Sequence, residues 1–291
     1  MMIPVLLTRI KTRDGVTLEG IYVKPRSRGK TALVWLHGLS SRFSSGQPLI
    51  GELSSRCERL GIGYLKFNTR GHDIVTSEKL PRLSFGGSAF EKFADCGLDI
   101  RAMVQFGWKL GYRKFILAGH STGSNKALYY LYKTRDRSVT GLLLLGPTND
   151  IAYDRKLLGS RELSRRLAVA AKLKRDGRPE ALLPQRYGVW TAQRYDTILH
   201  AGKSEDVFPY HNPRARWKEL RSVRVPLAVI FGSRDEYLDR PAGEVVKIFR
   251  AHARSTASFS GIIIKGAHHG FMKKEKELAR TIIRWIKRAI V

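Results

Sequence analysis

The chain has 291 residues, with 53 Lys and Arg against 25 Asp and Glu, a formal net charge of +28. A hydrophobic share of 43% and a charged share of 27% exclude a disordered chain. No apolar run reaches the roughly 18 residues of a membrane span, and the length suits one large domain or a domain with an insertion.

The N-terminal stretch MMIPVLLTRI has no basic region ahead of its short apolar run and no small-residue cleavage site, so no signal peptide is read and a cytoplasmic protein is expected. Cys57 and Cys96 are too few for a disulfide framework or a four-cysteine zinc site. Each falls beside the apolar face of a predicted helix, which suits buried thiols. The positive charge is spread. Residues 1–60 hold 10 basic and 4 acidic residues, and residues 148–222 hold 16 and 9. The dense runs Arg155 to Arg178 and Lys273 to Arg288 fit helices with a basic solvated face. No zinc-finger spacing, RNP-like motif or basic tail accompanies them, so no specific nucleic-acid partner is expected.

In chain order, RIKTRDGVTLEGIYVKP predicts two short strands around an Asp14-Gly15 turn. TALVWL (31–36) is a buried strand that breaks at His37-Gly38. Ile50, Leu53, Cys57 and Leu60 mark a helix, and IGYLKF (62–67) a second buried strand ending in the polar loop NTRGHD. The stripe Phe90, Phe93, Gly97, Ile100 and Val104 predicts one long helix stopping near Gly111. Strand KFILAG (114–119), a sharp turn, helix 125–133 and strand GLLLLG (141–146) follow. After a less regular stretch come strand PLAVIFG (226–232), a helix near 241–252, strand GIIIKG (261–266) and a helix with Leu278, Ile282 and Trp285 inward. This alternation specifies a mostly parallel sheet with helices on both faces. Residues 1–147 and 223–291 form the expected core, and 148–222 a helical cap inserted between two core strands.

The motif that carries chemistry is Gly119-His120-Ser121-Thr122-Gly123, placed between a buried strand and a helix as a nucleophile elbow requires. Ser121 needs a base, and the base an orienting acid, in the chain order Ser, Asp or Glu, His. FGSRDEYL after the next-to-last strand presents Asp235, ahead of its rivals Glu236 and Asp150. IKGAHHGF after the last strand presents His269, with His268 as the alternative. The backbone N–H groups of Leu39 and Thr122 are the expected oxyanion donors. His37, His72 and His120 read as supporting residues. No metal-ligand spacing and no dinucleotide or phosphate loop is present, so neither metal nor other cofactor is expected. The cap's charge shows no local enrichment. The site is therefore expected to be mainly apolar, with substrate gripped by cap aromatics such as Trp190, Tyr195 and Phe208.

VWLHG, FNTRGHD, LAGHSTGSNKALYYL, FGSRDEYL and GAHHGF, in that order, resemble the landmarks of the α/β-hydrolase superfamily. FEKFADCGLDI, SNKALYY and ILHAGKSEDVFPY give a closer likeness to the group that includes fungal siderophore esterases. The resemblance implies an α/β-hydrolase fold and a carboxylic-ester or amide hydrolase with Ser121, Asp235 and His269 as triad, acting on a small molecule without a cofactor. The alternatives are a perhydrolase or haloperoxidase using the same triad, and a non-catalytic binder of anionic polymers.

Overall fold

A computed structural model describes residues 4–80 and 82–290. Strands β1 (Leu6–Lys11), β2 (Thr17–Val23), β3 (Thr31–Leu36), β4 (Gly63–Phe67), β7 (Lys114–His120), β8 (Val139–Leu145), β9 (Leu227–Gly232) and β10 (Phe259–Ile264) form one sheet in the order β1-β2-β4-β3-β7-β8-β9-β10. The pairs β1–β2 and β2–β4 are antiparallel and the rest parallel. The register aligns Leu36 with Gly119, His120 with Leu145, Leu145 with Ile230, and Ile264 with Gly232. The loops after β3, β7, β8, β9 and β10 therefore all leave from one edge, and these are the loops expected to carry the chemistry.

The central strands are mostly apolar and buried because both of their faces are covered. Val34, Leu36, Leu117, Leu142 and Leu144 point into one core. It is completed by helices α2 (Cys96–Lys109), α3 (Thr122–Thr134) and α8 (Ala242–His252). Leu33, Trp35, Ile116, Leu143 and Leu145 point into the other, completed by α1 (Gln47–Arg59) and α9 (Glu275–Ala289). The helix α9 buries Leu278, Ile282, Ile283, Trp285 and Ile286, a spacing only a helix puts on one face. Cys57 and Cys96 are buried free thiols, and burial pushes the Cys57 pKa to about 12. No helix among the described residues is long and apolar enough to cross a membrane.

Two elements differ from the sequence expectation. The helix expected from Phe90 begins at Cys96, after a 3-10 turn at Phe93–Asp95, because Phe90 and Glu91 are held in a turn by N–H bonds to the Gly87 carbonyl. Between it and β4 lies an unanticipated hairpin, β5 (Thr76–Leu80) and β6 (Arg82–Gly86), paired antiparallel outside the main sheet.

Residues 148–222 carry α4 (Asp150–Leu158), α5 (Ser160–Arg175), α6 (Ala192–Leu199) and α7 (Lys218–Arg221) between β8 and β9. Their first part has its own apolar cluster, built from Leu163, Ala170, Leu183, Tyr187, Ala192, Tyr195, Ile198 and Leu199. From Val207 onward the segment rejoins the main core through Phe208, Tyr210, Trp217, Leu220 and Val223.

Candidate active site

Ser121 lies between β7 and α3 at φ 56°, a left-handed value that L-residues adopt only under constraint. The constraint is visible in its neighbours. A Cβ on Gly119 would lie 2.2 Å from the Gly123 carbonyl oxygen, and one on Gly123 would lie 2.4 Å from that of Leu36. Only glycines let the strand, the turn and the β3 end approach this closely. The Ser121 N–H donates to the Leu145 carbonyl (2.8 Å), tying the turn to the end of β8.

The next residue, Gly146, backs the histidine. A Cβ there would lie 3.0 Å from Nδ1 and Cε1 of His269 and 3.3 Å from Asp235 Oδ2. His269 Nδ1 donates to both carboxylate oxygens of Asp235, at 3.0 Å each. His269 as a residue is 7% exposed and Asp235 8%, so the pair is shielded from water. His269 Nε2 is buried and has no hydrogen-bond partner among the described residues. The pair thus fixes the tautomer that leaves an unprotonated nitrogen available.

Adjacent residues have distinct positions. His268 is exposed and stands 3.6 Å from Glu236, away from Asp235. Glu236 accepts the His269 backbone N–H at 3.0 Å and so anchors the loop. Asp150, the other carboxylate considered, begins α4 and forms no hydrogen bond with His269 among the described residues. Burial and the neighbouring carboxylates Glu205 and Asp154 push its pKa to about 7.

His37 and His120 are hydrogen-bonded into the backbone. His37 donates from Nδ1 to the Gly38 carbonyl (2.8 Å) and accepts the Thr69 N–H at Nε2 (2.9 Å). Burial, with Lys126 nearby, holds its pKa well below the usual range, so it stays neutral. His120 donates from Nε2 to the His269 carbonyl (2.9 Å), and burial beside His269 lowers its pKa to about 4. His72 pairs with Asp73 at 2.8 Å. Gly38 abuts Ser121: a Cβ there would lie 3.6 Å from Ser121 Oγ. Neither the Leu39 nor the Thr122 N–H has an acceptor among the described residues.

The expected substrate-gripping aromatics are packed elsewhere. Phe208 is fully buried in the main core, 5.1 Å from Phe249, and Tyr195 and Trp190 belong to the apolar cluster of α5 and α6. Their amphipathic spacing reflects packing between helices. The aromatic side chain beside the site is Tyr237, whose ring is 4.4 Å from that of His269 and 4.8 Å from Tyr153 of α4. Tyr237 lies in the Asp235 loop, and its place two residues after Asp235 is the sequence signal that points to it.

A second group is invisible in the sequence. Lys126 of α3 pairs with Glu91 at 2.5 Å, and Arg194 of α6 binds Glu91 and Glu205. The Arg194 Nε also donates to the Ser88 carbonyl at 3.0 Å. All four charged groups are buried. They join the helix that starts at Ser121 to the segment between β8 and β9. No group of three or more His, Cys, Asp or Glu residues suited to a metal occurs among the described residues.

Residues 88–290 match the family model described as "Protein of unknown function (DUF1749)". The chain belongs to this family. Among curated proteins none matches the sequence of this DUF1749 member. Solved structures similar to it include the Pyrococcus furiosus esterase Pf2001, 19% identical with a TM-score of 0.65, over 99% of this chain and 92% of that one. A thermostable carboxyl esterase from Bacillus coagulans, in complex with glycerol, is 15% identical with a TM-score of 0.67 over the whole of both chains. A soluble variant of the Saccharomyces cerevisiae monoglyceride lipase, with a substrate analogue, is 11% identical with a TM-score of 0.69, over 100% of this chain and 97% of its own. At these identities the likeness carries the fold: the DUF1749 chain has the α/β-hydrolase fold, with its mostly parallel eight-stranded sheet.

Proposed function

We propose that the protein is a serine hydrolase of carboxylic esters, with Ser121 as nucleophile, His269 as base and Asp235 as orienting acid. One observation carries the reading. A strained serine at a strand–helix turn shares a sheet edge with a buried His–Asp pair whose Nε2 is unpartnered. No Ser121–His269 hydrogen bond is formed among the described residues, and catalytic hydrogen bonds often tighten only when substrate binds.

In the proposed reaction, Ser121 Oγ attacks the ester carbonyl while its proton passes to His269 Nε2. The Leu39 and Thr122 N–H groups bind the developing oxyanion; one such donor is worth roughly 100- to 1000-fold in rate. The imidazolium, stabilised by Asp235, gives its proton to the departing alkoxide. Water, deprotonated by His269, then attacks the acyl-enzyme, and the acid leaves. In this reading residues 148–222 are the cap, and Tyr237 and Tyr153 line the entrance in place of the aromatics first expected. The likeness to the siderophore-esterase group adds cyclic esters to the substrates worth testing.

A panel of p-nitrophenyl esters and cyclic esters, run on wild type and Ser121→Ala with a fluorophosphonate probe alongside, tests the reading. The expected result is ester turnover, probe attached to Ser121, and a loss of about a million-fold in the variant. Retention of more than a few per cent of activity by Ser121→Ala removes Ser121 from the role.

A further inference from the structure

A cavity of about 720 Å³ lies on the α1–α9 side of the sheet, behind the elbow. Its floor is made by Trp35 of β3 and by Tyr64 and Lys66 of β4, which alternate with residues of the opposite core and therefore point this way. Leu49 and Ile50 of α1 and Phe271 of the loop after His269 form the walls. The mouth lies between exposed residues, Gly46 to Pro48 on one side and Met272 with Lys273 on the other.

Lys66 is the anomaly. It is 3% exposed, and its Nζ donates to the Ser45 carbonyl at 2.5 Å, one bond for three donors. No carboxylate pairs with it among the described residues. The fold treats its other buried cations differently: Lys126 has Glu91, and Arg194 has Glu91 and Glu205. A buried ammonium without a counter-ion costs several kcal/mol, and burial alone lowers the Lys66 pKa to about 7. The groups that face it are Tyr64, the neutral His37 and His120, and the pair Lys273 and Glu275 at the rim, whose charges oppose one another. An apolar chamber with one unsatisfied cationic donor at its base selects an anion attached to an apolar body.

We propose that this cavity binds a carboxylic acid with an apolar chain or ring, its carboxylate on Lys66 Nζ and its body between Trp35, Leu49, Ile50 and Phe271. The cavity reaches Gly38 and His120 beside Ser121, but its described lining does not include Ser121 or His269, and the proposal does not depend on the hydrolase reading.

Titration calorimetry of octanoate into the full-length protein tests it, with Lys66→Met and Ile50→Trp as variants and their folding checked by circular dichroism. Octanoate is expected to bind wild type and Ser121→Ala alike, at least ten-fold more weakly to Lys66→Met, and more weakly to Ile50→Trp, whose larger side chain intrudes on the space beside Trp35 and Leu49. Inorganic phosphate is expected neither to bind nor to compete. At pH 8 octanoate binding is expected to take up a proton, seen as heat that varies with the ionisation enthalpy of the buffer, because the free amine is mostly neutral there. At pH 6 no uptake is expected. Equal octanoate affinity in wild type and Lys66→Met, displacement of octanoate by phosphate, no binding to wild type, or a buffer-independent heat at pH 8 overturns the proposal.

Discussion

Adjacent histidines in one loop have opposite surroundings. His269 is buried on Asp235, while His268 is exposed beside Glu236. In the proposed mechanism Ser121, His269 and Asp235 act as a unit, so His269→Ala should lower kcat nearly as much as Ser121→Ala. His268→Ala should cost only a few-fold. Matched kinetics on the two variants decide it, and the opposite ranking moves the base to His268. A second residue gives a pH signature. Asp150 titrates near 7 in the folded protein, against 3.8 for an ordinary aspartate. Between those values the native state holds a proton that the unfolded chain has released. Its contribution to stability is therefore complete below about pH 4 and is lost as pH rises through 7. Asp150→Asn should flatten the fall in melting temperature between pH 5 and 8 by removing this titration. An unchanged slope means that Asp150 is not the titrating group. At this scale the sequence was informative wherever the constraint is local. The tight turn at Ser121 follows from two glycines that no Cβ can replace, and the placing of Asp235 and His269 at the same edge follows from strand-end loops that the parallel register lines up. The choice between His268 and His269 was not local, because it depends on how the loop lies against Gly146.

Between elements, the decisive contacts join residues far apart in the chain. Arg194 of α6 meets Glu91 across 103 positions and is bonded to Ser88, Glu91 and Glu205 with no exposure to solvent. Nothing in a run of charges marks four of them as buried together, so this link was illegible, as was the hairpin β5–β6. The packed aromatics were illegible for a related reason. Helical spacing shows that Tyr195 has a buried side but not which core receives it, and Phe208 joins the main core beyond the point where the segment's own cluster ends. Removing one member of a buried charge group leaves its partners uncompensated, a change that typically costs about 3–5 kcal/mol. Arg194→Met should therefore lower the unfolding free energy measured in urea by that order. It should also make residues 150–200 the first to be cut in limited proteolysis, since Arg194 and Thr191 fasten α6 to the 88–91 turn. A variant as stable as wild type, with unaltered cleavage order, would show that the apolar contacts of α5 and α6 hold the segment without the charges.

For the molecule as a whole, the net charge of +28 has no single location. The described ion pairs include several exposed ones, Arg9 with Glu19 and Lys172 with Asp176 among them. Exposed pairs of this kind contribute about 0–1 kcal/mol each, whereas the cations in excess of the anions repel one another throughout the compact state. Salt weakens both effects. With 53 cations against 25 anions, relief of repulsion is the larger. The Debye length shrinks from about 30 Å at 0.01 M to about 10 Å at 0.1 M, which shields cations spread over a molecule of this size from all but their nearest neighbours. The melting temperature should therefore rise as NaCl increases from 10 to 200 mM. Over the same range, kcat/KM for a neutral ester should hardly change, because no long-range field steers an uncharged substrate. A dedicated polyanion-binding surface would behave differently. It would hold the protein on heparin well above physiological salt, since affinity that rests on many phosphate or sulfate contacts starts high and falls steeply with salt. Elution from heparin below about 0.2 M NaCl, together with the rise in melting temperature, is the result expected of a basic but dispersed surface. Retention beyond about 0.5 M would show instead that part of the charge is concentrated into a polyanion site.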